Sequence, residues 1–389
     1  MNRSRTIRIA LALMLFASIP SADYLRAQSM DDLNLQVHGY ATQGFLYSNQ
    51  NSWNGTDSEN GSAAWTEAVV NLSAQPEEKL RIGVQARYFL LGNYGNEITL
   101  DWAQADYRVN EKFGFRVGKV KSPVGLLNET QDIDPAQLWA LLPQSIYPIA
   151  SRNSLLSHYG GVVYGTVPLG ERLGKVEYRG YAGERILGGS DGFYQFLRDA
   201  GFTLPNGTRG PVFGGTLTWR TPLPGLKIGA SEEYDHGTGE LDLGGMKGTL
   251  ENGPFSAPFY YGQYEKKRLM VGGEYERLRL NATSRFPNLP AFVNQVDVRA
   301  FYVMSSYKVT SKFTAGAYYS YSMNLKAPAS SSRFQKDWTI STRYDINPYL
   351  YAKAEQHFID GTGNGFNASD NPNLQPTTRL TILKLGVSF

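Results

Sequence analysis

The chain has 389 residues, a formal charge of +3, no cysteine and 19% charged residues, with a mean hydropathy of −0.36. That balance excludes a helical membrane protein, which needs several apolar runs of about 20 residues, and the lack of cysteine excludes disulfide frameworks, thiolate metal sites and cysteine nucleophiles. With 41 glycines, 25 tyrosines and 19 phenylalanines but no long apolar runs, the composition suits an all-β protein with aromatic interfaces.

Taken from the N-terminus, Arg3, Arg5 and Arg8 precede an apolar run from Ile9 to Ile19, which Pro20 stops. The run is too short to span a bilayer. A positive start, an apolar middle and small residues after it describe a secretory signal peptide over residues 1–27, cleaved after Ala22 or Ala27. Cleavage at the second site removes Arg3, Arg5, Arg8, Arg26 and Asp23, so the formal charge of +3 falls to zero. The basic balance then gives no argument for a nucleic-acid partner, which needs a basic face with a matching motif. Residues 28–389 are expected to form one domain.

The first long alternation runs from Leu80 to Leu90. Leu80, Ile82, Val84, Ala86, Tyr88 and Leu90 are apolar or interfacial, with Arg81, Gln85 and Arg87 between them. A helix would spread those arginines around its cylinder, whereas a strand puts them on one face, as a membrane strand with a lipid side and a wet side requires. The same period of two returns around 297–305, 313–321, 338–344, 350–355 and 378–389. In the first of these, Val298, Ala300, Tyr302 and Met304 are assigned to the lipid side and Asp297 and Arg299 to the inside. The last sets Leu383, Leu385, Val387 and Phe389 against Lys384, Gly386 and Ser388, and ends on an aromatic residue.

Short polar connections near 75–79, 110–112, 168–174, 221–225, 276–278, 309–312 and 346–348 alternate with long ones rich in Gly, Asn, Ser and Pro. The long ones fall near 48–62, 91–97, 121–157, 184–211, 235–266, 287–295, 323–336 and 360–377. This is the pattern of a transmembrane antiparallel up-and-down β-barrel of about sixteen strands, with short periplasmic turns and long outer loops. An extra hairpin has room near 235–266. A soluble sandwich, with strands of about five or six residues, is excluded by segment length.

The third long connection, 121–157, has an interior, Pro135 to Leu142, that reads as a short helix with Asp134 at its start. An apolar helix on an outer loop needs a surface, and the barrel wall supplies one. The loop is therefore expected to enter the lumen and set the constriction, with Glu129, Asp132 and Asp134 in the narrow zone. Parity places Arg81, Arg87, Arg108, Arg116, Lys175, Arg179, Lys227, Arg299, Lys353 and Lys384 on the pore wall. Inward acids are fewer: Glu67, Asp106, Glu177, Glu233, Asp297 and Glu355. Wall cations facing loop carboxylates create a transverse field that favours small polar solutes, and the excess of cations leans the pore weakly toward anions. Arginine at mid-bilayer on the lipid side would cost about 2–4 kcal/mol, which supports this register.

The stretch Ala103-Gln104-Ala105-Asp106-Tyr107, the run from Phe115 to Gly125 (Phe-Arg-Val-Gly-Lys-Val-Lys-Ser-Pro-Val-Gly) and the terminal strand ending in Phe389 resemble Gram-negative outer-membrane porins, most closely the broad group that includes the phosphate-selective porins. The resemblance implies a homotrimer in which each chain forms its own pore, narrowed by the third outer loop. Phe389 resembles the signal read by barrel-assembly machinery. The function this implies is a passive water-filled channel for small hydrophilic solutes in the cell outer membrane. The alternatives are a solute-specific channel for phosphate or carboxylates, and a surface adhesin or barrel enzyme acting through outer loops. The partners implied are outer-membrane lipid and lipopolysaccharide, small hydrophilic solutes or anions, and the export and assembly machinery.

For an enzyme the motifs are poor. The histidines, His38, His158, His236 and His357, form no metal pair, and no serine lies in a nucleophile elbow; all four are expected to be exposed to lumen or loop. The glycine clusters at 237–245 and 361–365 lack a following helix or an EF-hand spacing, and Asp360, Asn364 and Asp370 are at most a loose divalent-ion site at the mouth. No cofactor or resident metal is implied.

Overall fold

Alternation of period two becomes strand wherever one face can be dry and the other wet. The computed structural model describes residues 33–389, so the expected export signal and both cleavage positions lie outside the described residues. In chain order the strands are β1 (Gln36–Ser48), β2 (Ser62–Glu77), β3 (Leu80–Leu91), β4 (Tyr94–Asn110), β5 (Phe113–Lys121), β6 (Ser157–Gly170), β7 (Gly174–Leu187) and β8 (Thr208–Arg220). The second half comprises β9 (Leu226–Leu243), β10 (Met246–Lys266), β11 (Leu269–Arg285), β12 (Phe292–Lys308), β13 (Phe313–Asn324), β14 (Phe334–Asp345), β15 (Leu350–Asp360) and β16 (Thr377–Ser388). Each pairs antiparallel with its sequence neighbours, and β1 pairs with β16 to close a barrel of sixteen strands. Phe389 continues that closure by exchanging backbone hydrogen bonds of 3.0 and 3.1 Å with Gly39.

Register divides the wall into two sets. One set is exposed and apolar, for example Ile82, Val117, Val163, Leu217, Val303, Ile340 and Leu383. This is the belt a barrel presents to lipid. The other set is polar and mostly covered, including Thr42, Glu67, Gln85, Arg87, Glu233, Ser341, Lys353 and Lys384.

Three expectations change. The stretch 235–266 holds neither a long loop nor an extra hairpin. It is the upper part of β9 and β10, joined at Gly244-Gly245, whose φ values of 58° and 94° match the left-handed backbone of a two-residue hairpin turn. The short turn expected at 276–278 lies instead at 267–268, leaving 276–278 within β11, and the long connection expected at 91–97 is the two-residue turn 92–93 between β3 and β4.

The second change is the parity of β12. Ala300, Tyr302 and Met304 are buried, facing Glu276, Glu274 and Gly272 of β11, so Asp297 and Arg299 point outward with Phe301 and Val303. The reason is that the inner wall here is itself apolar, because the segment 122–156 packs on it. Apolar residues therefore do not mark the lipid side of this strand.

The third is the helix expected over 135–142. Only Asp134–Ala136 forms a single 3-10 turn, and the four-residue helix of the segment lies later, at Asn153–Leu156. Wall side chains take the backbone groups that a helix would pair internally. Arg343 donates to the carbonyls of Pro135 and Gln137, Lys353 to those of Asp134 and Trp139, and the Glu355 carboxylate accepts from the N–H groups of Ala140 and Leu141.

Candidate functional site

The three loop carboxylates singled out in the sequence each meet cations. Glu129 accepts from Arg116 at 3.0 Å and Arg179 at 3.3 Å. Asp132 is bound by Lys121 at 2.7 Å, by the Gln85 amide at 2.9 Å and by the Trp102 indole N–H at 3.2 Å. Asp134 lies between Lys384 at 2.6 Å and Lys353 at 3.0 Å, and the Tyr351 hydroxyl donates to it at 2.7 Å. Burial works to raise the Asp134 carboxyl, but the two ammonium groups outweigh it and hold the group well below the usual carboxylate range. Glu129 is lowered in the same way, against burial, by Arg179 and Arg116. The opposed charges expected to set a field across an open gap are therefore in direct contact, and they tether the segment 122–156 to the wall.

Tethering continues through groups that the sequence did not pair. Gly125 donates its N–H to Ser231, and Leu126 donates to Glu274, which also accepts from the hydroxyls of Tyr147 and Tyr302. Arg152 forms a two-point ion pair with Asp101 at 2.7 and 3.1 Å. On one side Leu138, Trp139, Ile146 and Tyr147 pack on Phe259, Tyr302, Met304 and Tyr318. On the other, Ala140 and Leu141 join Leu46, Trp65, Phe89 and Leu380. The abundance of tyrosine was visible in the composition, but which tyrosines turn inward was not.

The remaining wall residues fall into two groups. Arg87 is paired with Glu67 at 2.6 Å. Arg81, Arg108, Lys175 and Lys227 share the inward register, each close to a short turn, and make no ion pair among the described residues. Arg299 is the exception, pointing outward beside Asp297. Glu67, Asp106, Glu177, Glu233 and Glu355 share the inward register, and a buried group missed by the sequence reading, Arg185, joins Glu233 at 2.6 Å and Asp235 at 2.8 Å.

Two of the four histidines also differ from expectation. His158 and His357 are fully covered, the first against Ser122 and the second between Asp337 at 2.9 Å and Glu355 at 3.2 Å. Asp337–His357–Glu355 is a support for the Ala140 and Leu141 N–H groups. Asp360, Asn364 and Asp370 are not brought together: they bond to Lys336, Gln144 and Asn93 respectively.

Two cavities flank the segment. One, of about 330 Å³, lies against Gln144, Ile146, Arg185, Asp235, Asn252 and Glu276. The other, of about 310 Å³, is bordered by Arg87, Thr99, Arg152, Asn153, Ser190 and Asp191. Asp191, in the connection after β7, accepts the Phe193 N–H at 2.9 Å, and burial pushes its carboxyl up to about 6 from 3.8. A carboxyl raised in the folded state binds its proton more tightly there than in the unfolded chain. Its contribution is therefore greatest below pH 4 and is lost as pH rises through 6. Hydrogen-exchange protection at Phe193 and Tyr194, taken relative to the intrinsic rate at each pH, is expected to be greater at pH 5 than at pH 7.5, by about 1.4 kcal/mol of local stability. Asp191→Asn should abolish that pH dependence, and an unchanged profile in the variant would remove the assignment.

A closed sixteen-stranded barrel, apolar outside and largely polar within, with the long connection between β5 and β6 bonded to the inner set, defines the porin type of membrane-barrel fold. Solved structures with this fold include Salmonella typhi OmpF in complex with daunomycin, with a TM-score of 0.59, 12% identity and coverage of 93% of this chain and 99% of that one. The outer membrane channel DcaP of Acinetobacter baumannii gives 0.55, 10% identity and coverage of 93% and 99%. The anion-selective porin from Comamonas acidovorans gives 0.54, 9% identity and coverage of 91% and 99%. At these identities the likeness is one of fold. No protein-family model and no curated protein matches the chain.

Proposed function

We propose that the chain is a porin of the Gram-negative outer membrane, a passive channel for small hydrophilic solutes whose aperture is set by residues 122–156 lying inside the barrel. The observation that carries this reading is the reach of that segment. It bonds to Ser231 and Glu274 on β9 and β11 near its start, and to Lys353, Glu355 and Lys384 on β15 and β16 midway. A segment tied to both arcs of a closed barrel crosses its interior. The same ties argue for a fixed aperture and passive diffusion over catalysis. Homotrimeric assembly, with Phe389 as the assembly signal, follows from the porin resemblance, and heat-modifiable migration in mild detergent tests it.

The proposed weak anion preference rests on part of the expected wall set. Arg116, Arg179, Lys353 and Lys384 are neutralised by the loop, whereas Arg81, Arg108, Lys175 and Lys227 are not paired among the described residues. The lean toward anions is therefore placed at the short-turn mouth. In planar bilayers the protein should give ohmic, long-lived channels, with a salt-gradient reversal potential on the anion side. Arg81→Glu with Arg108→Glu should carry the anion-to-cation permeability ratio from above one to below one. Failure to form ohmic channels would remove the porin reading, and an unmoved reversal potential would remove the placement of its selectivity.

A further inference from the structure

The outward parity of β12 leaves a charged cluster on the face that meets lipid. Arg277 stands directly opposite Arg299, and Arg279 directly opposite Asp297. Arg277 grips Asp297 through two bonds of 2.9 Å. Arg279 and Arg299 are exposed and make no ion pair among the described residues. Three cations thus share one carboxylate, on a wall that carries Val271 and Tyr275 on β11 and Phe301, Val303 and Tyr307 on β12 nearer the short turns.

The level of the cluster follows from counting. From Leu269, the first residue of β11, to Arg277 is nine residues, and a tilted strand needs about 9–11 to cross the hydrocarbon. The cluster therefore stands at the rim of the apolar belt on the side of the long connections. Phe301 packs at that level against Tyr319 and Tyr321, with centroids 5.9 and 5.6 Å apart, as interfacial aromatics do. An arginine at this rim costs about 0–1 kcal/mol, against about 2–4 at the midplane, so the position is tolerable, but two guanidinium forks remain without an anion. Arg279 and Arg299 are diagonal neighbours across the strand pair, about 7–8 Å apart at the backbone. Two side chains of that length converge on one phosphate, which the planar fork binds at two points.

Resting on the outer-membrane porin reading, we infer that Arg279 and Arg299, with Arg277 held in place by Asp297, bind a phosphate of the lipid A part of lipopolysaccharide, its acyl chains lying along Tyr275, Phe301 and Val303. The test compares the wild-type protein with Arg279→Gln/Arg299→Gln and Arg279→Lys/Arg299→Lys, all refolded in detergent and titrated with bisphosphoryl lipid A, dephosphorylated lipid A and inorganic phosphate. The glutamine variant should lose about tenfold or more in affinity for bisphosphoryl lipid A. The lysine variant should fall between, and the dephosphorylated lipid should not distinguish the three proteins. Equal binding of both lipids by all three would overturn the site. Displacement by millimolar inorganic phosphate would make it a free-anion site and overturn the lipid assignment, and loss of oligomer without loss of lipid would make it a subunit contact. Conductance separates the two readings. It should be the same in all three proteins, and a wild type that binds lipid but forms no channel would refute the porin reading alone.

Discussion

Replacing Asp134 with alanine is expected to lower the unfolding temperature of the barrel and raise its single-channel conductance together. Lys353 and Lys384 stand directly opposite each other on β15 and β16, with side chains 0% and 1% exposed. Without Asp134 the remaining acid nearby is Glu67, 3.8 Å from Lys384 and already engaged by Arg87. Breaking a buried pair by removing one partner costs about 3–5 kcal/mol. Here the loss is compounded because Lys353 also holds the carbonyls of Asp134 and Trp139. The combined variant Asp134→Leu, Lys353→Met and Lys384→Met should recover most of the stability, because it buries no orphan charge, while conductance stays high. Heat-modifiable electrophoresis and bilayer recordings read the two effects separately. A variant with wild-type stability and wild-type conductance would show that this cluster does not hold the segment.

The second large effect is expected at Trp139. It is 3% exposed and meets Tyr318 edge-on, with ring centroids 5.2 Å apart at 71°. Its seat is made by Gly316 on β13, where a Cβ would come within 2.7 Å of Leu138 and 2.9 Å of Trp139. Trp139→Ala should cost the contact between segment and wall about 3–5 kcal/mol. Because the strands pair without it, barrel unfolding should shift less than in Asp134→Ala, while proteolysis within 122–156 and conductance noise both increase. Gly316→Val removes the same seat from the opposite side and should give the same phenotype. If Gly316→Val leaves proteolysis and current untouched, the packing of Trp139 on β13 is not what positions the segment.

The way these residues come together explains which of them the sequence disclosed. Glu129, Asp132 and Asp134 stood out as carboxylates on the longest connection, and Arg116, Arg179, Lys353 and Lys384 as cations of inward parity. Their meeting spans up to 250 residues of chain in the case of Lys384 and Asp134, a separation over which no local pattern carries information. Glu274 and Tyr302 had no signal, because a buried acid bonded to two tyrosines is not distinguishable in sequence from an exposed one. The Gly244-Gly245 turn had one: two glycines between runs of alternating residues mark a tight hairpin, which reading the whole of 235–266 as loop composition concealed.

Periodicity, with the spacing of the connections, determined that this chain forms a barrel of about sixteen strands, because a lipid face and a wet face impose a repeat of two on every strand, whatever its partners. Composition likewise excluded helical spans and thiol chemistry. Only the tertiary structure decided which face of β12 is inward, and that the wall cations neutralise the loop carboxylates. The reason is common to both. Once a segment lies against the inner wall, that wall becomes part dry and part ion-paired, so inside and outside are no longer separated by polarity, and the contacts that settle the matter join residues far apart in the chain.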